Sequence, residues 1–223
     1  MSYTTLIPLI EKFFPRVVFR VPVKEKVIFL TFDDGPNPEI TPHILDYLEK
    51  FDARATFFVK GNQIPSAPGI LVRMKKERHS IGNHGFSHIS LWTRKKNTIL
   101  DEIGRTNELI EKTCGFRPAF FRPPYGNFRP GFPKLLDSFQ MRVVLWSLDS
   151  RDYRENESPQ SIVRNVLLAA TPGTIVLLHD SGKNSWNSLQ ALPVILGNLK
   201  NQGYQFASLG DKWIPPNIQE TVK

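Results

Sequence analysis

Seven short apolar runs with strand character alternate strictly with six helix-period segments, and this alternation is the strongest constraint on the fold. The strand runs are Val27–Phe32, Ala55–Val59, Ser80–Gly82, Ala119–Arg122, Val143–Leu148, Thr174–Leu178 and Gln205–Ser208. Helices are predicted between them at Thr41–Lys50, Gly69–Arg78, Thr98–Thr113, Gly131–Phe139, Pro159–Ala170 and Leu189–Gln202. A helical crossover carries the chain back to the starting end of the sheet, so consecutive strands run parallel. The pattern therefore requires an α/β fold with a parallel sheet, either open and doubly wound or closed into a barrel. Local chemistry marks two boundaries. Ser158-Pro159 reads as an N-cap and first helical position, and Thr113-Cys114-Gly115 as a helix end at glycine.

The 223 residues and 40% hydrophobic content suit a single domain with its own core. No Ser/Gly-rich linker, low-complexity stretch or repeat divides the chain. The expected organisation is an N-terminal docking segment over 1–24, an α/β domain over 25–214 and a short tail over 215–223. Cys114 is the only cysteine, which excludes an intrachain disulfide and a thiolate metal cluster. The start of the chain lacks a basic region, an unbroken apolar stretch and a small-residue cleavage site. Neither a signal peptide nor a transmembrane segment is expected, which by itself points to the cytoplasm. The net charge of +8 favours acidic partners, but no nucleic-acid-binding signature accompanies it, so no nucleic-acid partner is expected. Oligomeric state is left open.

The unusual polar residues fall after strand ends, where parallel α/β folds gather functional groups. Asp33 and Asp34 follow the run Val27-Ile28-Phe29-Leu30 in Thr31-Phe32-Asp33-Asp34-Gly35-Pro36. Two adjacent buried carboxylates repel and are costly to desolvate unless something compensates. A metal cation on one of them would do so and leave the other free as a base. After the third strand, Asn83-His84-Gly85-Phe86-Ser87-His88 spaces two imidazoles that can converge on one metal ion if the stretch turns helically. Two imidazoles and a carboxylate make a three-point site with positions open for water and substrate. After the fourth, Phe121-Arg122-Pro123-Pro124-Tyr125-Gly126 has a backbone rigid enough to aim Arg122 at a carboxylate and a main-chain N–H at an oxyanion. Asp149 and Asp152 follow the fifth strand. His179 ends the aliphatic sixth, well suited to general acid catalysis with a carboxylate from the preceding loop.

These five stretches resemble, in order, the motifs of the NodB-homology polysaccharide deacetylases, carbohydrate esterase family 4: TFDDGP, H-[ST]-x-x-H, RPP-[YF]-G, D-x-x-D-W and L-x-LHD. The resemblance runs from about Val27 to Ser208. It implies a distorted (β/α) barrel of about seven parallel strands in a single domain. It also implies that Asp34, His84 and His88 bind one divalent metal ion, zinc by preference over cobalt, nickel or ferrous iron. Asp33 would be the base and Arg122 would orient it. His179 would be the acid, with Asp152 tuning it. The Tyr125 N–H would hold the oxyanion, and Leu177 would line the acetyl pocket. Two residues depart from the motifs: Gly85 replaces Ser or Thr, and Tyr153 stands where Trp is usual, which bears on pocket shape.

The implied function is metal-dependent hydrolysis of N-acetyl or O-acetyl groups on a carbohydrate. An N-acetylglucosamine polymer such as peptidoglycan or chitin comes first as substrate and acetylated xylan next. Such substrates point to the cell envelope, against the reading of the N-terminus. The alternative is a catalytically silent carbohydrate-binding domain of the same fold. A serine-nucleophile mechanism is disfavoured because the chain has no Gly-x-Ser-x-Gly turn.

Overall fold

A computed structural model describes residues 16–211. The flanking parts of the expected docking segment (1–15) and the whole tail (215–223) lie outside the described residues. Among these residues nine strands occur in chain order: β1 Val17–Val18, β2 Val27–Asp33, β3 Ala55–Val59, β4 Ser80–Asn83, β5 Phe120–Phe121, β6 Arg142–Val144, β7 Leu148–Asp149, β8 Ile175–His179 and β9 Gln205–Phe206. The helices are α1 Thr41–Lys50, α2 Pro68–Lys76, α3 Lys96–Cys114, the short α4 Phe132–Leu135, α5 Pro159–Ala169 and α6 Ser185–Asn201. Every named strand pairing is parallel, in the order β1-β6-β5-β4-β3-β2-β8-β7, with β9 added beside the start of β2. The ends of this sheet meet irregularly. An Arg20–Thr174 bridge joins the stretch after β1 to β8, and the Ser147 N–H donates to the Ile175 carbonyl. The result is the distorted (β/α) barrel.

The difference from seven strands has two sources. Val17–Val18 add a short strand beside β6. The run Val143–Leu148, read as one strand, is broken into β6 and β7. The guanidinium of Arg122 accounts for the break, because its Nε takes the Val144 carbonyl at 3.2 Å and its Nη2 the Leu145 carbonyl at 2.9 Å. α6 begins at Ser185 rather than Leu189, since its first turn is polar: Ser185 bonds the Gly182 carbonyl and Ser188 bonds Asp152. The predicted Ser158 cap and Gly115 helix end are both present.

β2 is buried along its whole length because its outer face is covered by helices and its inner face by the packed barrel interior. Its alternate residues divide between two cores, as the two-residue period of a strand requires. Ile28, Leu30 and Phe32 pack under the helices with Ile44, Leu48, Leu192 and Leu196. Val27 and Phe29 face the barrel interior with Phe58, Val144 and Ile175. Thr31 and Asp33 continue that inner face, so the pleat itself turns Asp33 into the barrel.

Below the sheet, His79 accepts the Ala55 N–H at 3.2 Å through Nδ1, while its buried Nε2 has no hydrogen-bond partner. Burial, aided by Arg73 and Arg54, lowers its pKa to about 4. The unfolded chain therefore takes up this proton first, and the stability that neutral His79 contributes is lost as pH falls from about 6.5 towards 4. Between pH 7 and 5 this amounts to about 2 kcal/mol. Urea unfolding of wild type and His79→Gln at the two pH values should show that much less acid sensitivity in the variant; equal sensitivities would contradict this role.

Candidate active site

Strand register assembles the site. Asp33 lies opposite His179 in the β2–β8 ladder, and Asn83 lies opposite Phe121 in the β4–β5 ladder, so His84 and Arg122 leave the sheet side by side. Asp33, Asp34, His84, His88, Tyr125, Asp152, Tyr153, Leu177 and His179 line one cavity of about 410 Å³ at the carboxyl ends of the strands. Arg122 lies beneath it, 0% exposed. The structure thus brings all ten residues singled out in the sequence into one place.

The Asp33 Oδ1 accepts from Arg122 Nη1 at 2.7 Å, and the same Nη1 donates to Thr31 Oγ1. With the two carbonyl bonds described above and the rings of Phe58 and Trp146 near it, every nitrogen of the guanidinium is engaged. Its fork is held rigidly and leaves Asp33 Oδ2 for the cavity. Burial raises the Asp33 pKa, and Arg122 and His179 offset only part of that rise. A carboxylate so balanced suits proton abstraction.

His84 and His88 are positioned by two partners of their loop. The Asn83 side chain donates to the Ile103 carbonyl and accepts the Gly85 N–H. Glu102, reaching up from α3, accepts the N–H groups of Phe86 and Ser87 and the Ser87 hydroxyl. Glu102 was not singled out from the sequence, although an acid on the apolar stripe Ile99-Ile103-Ile110 of a helix is a usable signal. The His84 Nδ1 bonds the Arg122 carbonyl at 2.7 Å, and burial above all lowers its pKa to about 3. Neutral His84 therefore carries its proton on Nδ1 and offers Nε2. Asp34, His88 and Tyr125 all have left-handed backbones, with φ of 79°, 59° and 61°. Strained non-glycine residues gathered at one cavity mark a place where function outweighs local stability.

One ligand atom each from Asp34, His84 and His88 lie within 4.8 Å of one another. The Asp34 Oδ1 is buried, 3.2 Å from His88 Nε2 and 3.8 Å from His84 Nε2, and has no hydrogen-bond partner. Three converging electron-pair donors, one an orphaned carboxylate oxygen, fit a divalent cation.

Across the cavity, Asp152 Oδ1 meets His179 Nδ1 at 2.7 Å, and its Oδ2 accepts the His179 N–H and the Ser188 hydroxyl. Burial alone would lower the His179 pKa, but Asp152, with help from Asp33 and Asp34, overrides it and holds the pKa at about 9. A dication on Asp34 would cancel part of that help. Asp149 accepts the Tyr153 hydroxyl at 3.0 Å and sets that ring edge-on to His179. Trp146, also not singled out, walls the cavity and crosses Gly126 so closely that any Cβ there would clash. Asp180 is a further omission: it is wholly buried beside Gly35 and bonded by the Thr41 hydroxyl at 2.6 Å.

The family profile for polysaccharide deacetylases matches residues 20–144. The chain belongs to the polysaccharide deacetylase family. It is 40% identical over 185 residues to the peptidoglycan-N-acetylmuramic acid deacetylase PdaC of Bacillus subtilis strain 168, covering 83% of this chain and 38% of that protein. The solved Bc1960 peptidoglycan N-acetylglucosamine deacetylase superposes with a TM-score of 0.84 at 34% identity, covering 92% of this chain and 95% of that one. The deacetylase fold also includes a solved pseudoenzyme of carbohydrate esterase family 4 from Bacillus anthracis, with a TM-score of 0.79 and 29% identity over 86% of this chain and 67% of that one. Among the described residues, no helix is long and apolar enough to cross a membrane.

Proposed function

We propose that this chain is a divalent-metal-dependent N-deacetylase of N-acetylglucosamine-containing polysaccharide, with peptidoglycan as the substrate class. The observation that carries the reading is the pairing of two oriented proton-transfer groups, Asp33 with Arg122 and His179 with Asp152, on either side of the Asp34/His84/His88 triad. The names of PdaC and Bc1960 support the substrate class. A peptidoglycan substrate would place the activity in the cell envelope.

Asp34, His84 and His88 would hold the cation, zinc by preference for a two-imidazole, one-carboxylate set. When bound it supplies Lewis-acid polarisation of the acetyl carbonyl and an acidified water. Asp33, oriented by Arg122, takes the proton of the attacking water on Oδ2. The Tyr125 N–H stabilises the charge developing on the carbonyl oxygen. His179, its Nδ1 held by Asp152, gives the Nε2 proton to the departing sugar nitrogen. Leu177, Trp146 and Tyr153 enclose the acetyl methyl and exclude bulk water.

The pseudoenzyme neighbour makes a silent carbohydrate-binding domain the second reading. Against it stand the intact base, acid and orienting residues of this chain. Acetate release from N-acetylglucosamine oligomers, peptidoglycan strands and acetylated xylan separates the two, with the first two substrates expected to be turned over and xylan slower. The pH–rate profile should be bell-shaped, falling on the basic side as His179 loses its proton. Asp152→Asn removes the largest upward influence on His179 and leaves the downward effect of burial, so that limb should move to lower pH. No acetate from any substrate supports the silent reading, and an unmoved basic limb breaks the His179–Asp152 pairing.

A further inference from the structure

Lys60 follows the last residue of β3, and its N–H donates to the Gly35 carbonyl at 2.9 Å. That bond ties the start of its side chain to the turn that carries Asp33 and Asp34. The side chain is tucked in, 17% exposed, and its ammonium stands 3.6 Å from Asp34 Oδ1. Its sole described ion-pair partner is Asp34. At 3.6 Å the contact is Coulombic and too long for a hydrogen bond, so Lys60 does not satisfy that buried oxygen.

The Asp34 carboxylate is therefore approached both by the two imidazoles and by a nearby ammonium. We propose that Lys60 is a built-in competitor for the metal: a resident counter-ion of Asp34 that sets the affinity of the Asp34/His84/His88 site below what its three ligands alone would give. Before loading, the ammonium neutralises the ligand carboxylate and keeps the turn in place. On loading, it is left beside a dication, and repulsion between charges of one and two units outweighs the single-charge attraction it had for Asp34. The side chain is partly exposed and flexible enough to swing away, but its anchored backbone keeps it near. The consequence is a site that binds reversibly and exchanges its ion, rather than one that holds it irretrievably. This inference rests on the metal reading of the triad given above.

The test is the dissociation constant of zinc for the full chain, measured by competition with a chromophoric chelator at fixed pH and ionic strength. Wild type, Lys60→Met, Lys60→Gln and Lys60→Arg are compared, with Asp34→Asn as the control. Both neutral variants should bind zinc at least tenfold more tightly than wild type, while Lys60→Arg, which keeps the charge, should stay within a few-fold. Raising the ionic strength should narrow the gap between Lys60→Met and wild type, as screening of the like charge demands. If both neutral variants bind as wild type or more weakly, Lys60 is no competitor and the proposal is overturned. If Asp34→Asn binds zinc as tightly as wild type, the metal reading itself has failed, a different result from the first. Circular dichroism on each variant separates loss of fold from loss of affinity, and two neutral side chains of different polarity guard against one that packs badly.

Discussion

Asp33→Asn is expected to lower turnover on N-acetylglucosamine oligomers by a factor on the order of 10² to 10⁴, the range associated with a lost general base. Metal content should stay within a few-fold of wild type, because Asp34, not Asp33, belongs to the three converging ligands. The amide keeps an acceptor for Arg122 Nη1, so the buried guanidinium remains partnered. The fold should survive, although replacing one member of a buried ion pair costs stability. Acetate release and bound metal, measured on one preparation, check this directly. A variant that loses its metal along with its activity would show that the two neighbouring carboxylates do not divide the work as proposed.

His88→Ala should abolish turnover by a different route. His88 is the most accessible of the two imidazoles and makes no hydrogen bond that holds the loop; Glu102 and Asn83 do that. Its removal should therefore leave the thermal unfolding of the metal-free protein nearly unchanged. Loss of a residue that merely supports a ligand already costs 10- to 100-fold in metal affinity, so loss of a ligand should cost at least on the order of 10². Excess zinc should restore part of the activity if His84 and Asp34 still offer two donors. Undiminished affinity in His88→Ala would remove it from the ligand set. By contrast, His84→Ala would also orphan the Arg122 carbonyl, and it mixes metal loss with destabilisation.

The alternation of apolar and amphipathic runs already contained the parallel α/β architecture, because a strand-helix-strand unit has few ways to pack. The chemical residues were equally legible, since they stand at strand ends in stretches that packing alone does not explain. Register then brings Asp33 to His179 and His84 to Arg122. What stayed hidden depends on contacts made across the chain. The break between β6 and β7 arises from Arg122, about twenty residues upstream, consuming their carbonyls. Val17–Val18 form too short a run to read as a strand until β6 is there to pair with it. Glu102, Trp146 and Lys60 act on the site from elements whose own sequence shows no motif. Lys60 in particular looks like any surface lysine until the Gly35 contact is known.

The central claim is that one cation, held by Asp34, His84 and His88, makes this cavity a deacetylase. It is tested most directly by counting divalent ions and released acetate on the same sample of wild-type protein, as prepared, after chelation and after reloading with zinc. The account predicts about one ion per chain and steady acetate release from N-acetylglucosamine oligomers, loss of both on chelation, and return of both with zinc. Acetate release that continues at its original rate in protein stripped of every divalent ion would contradict it.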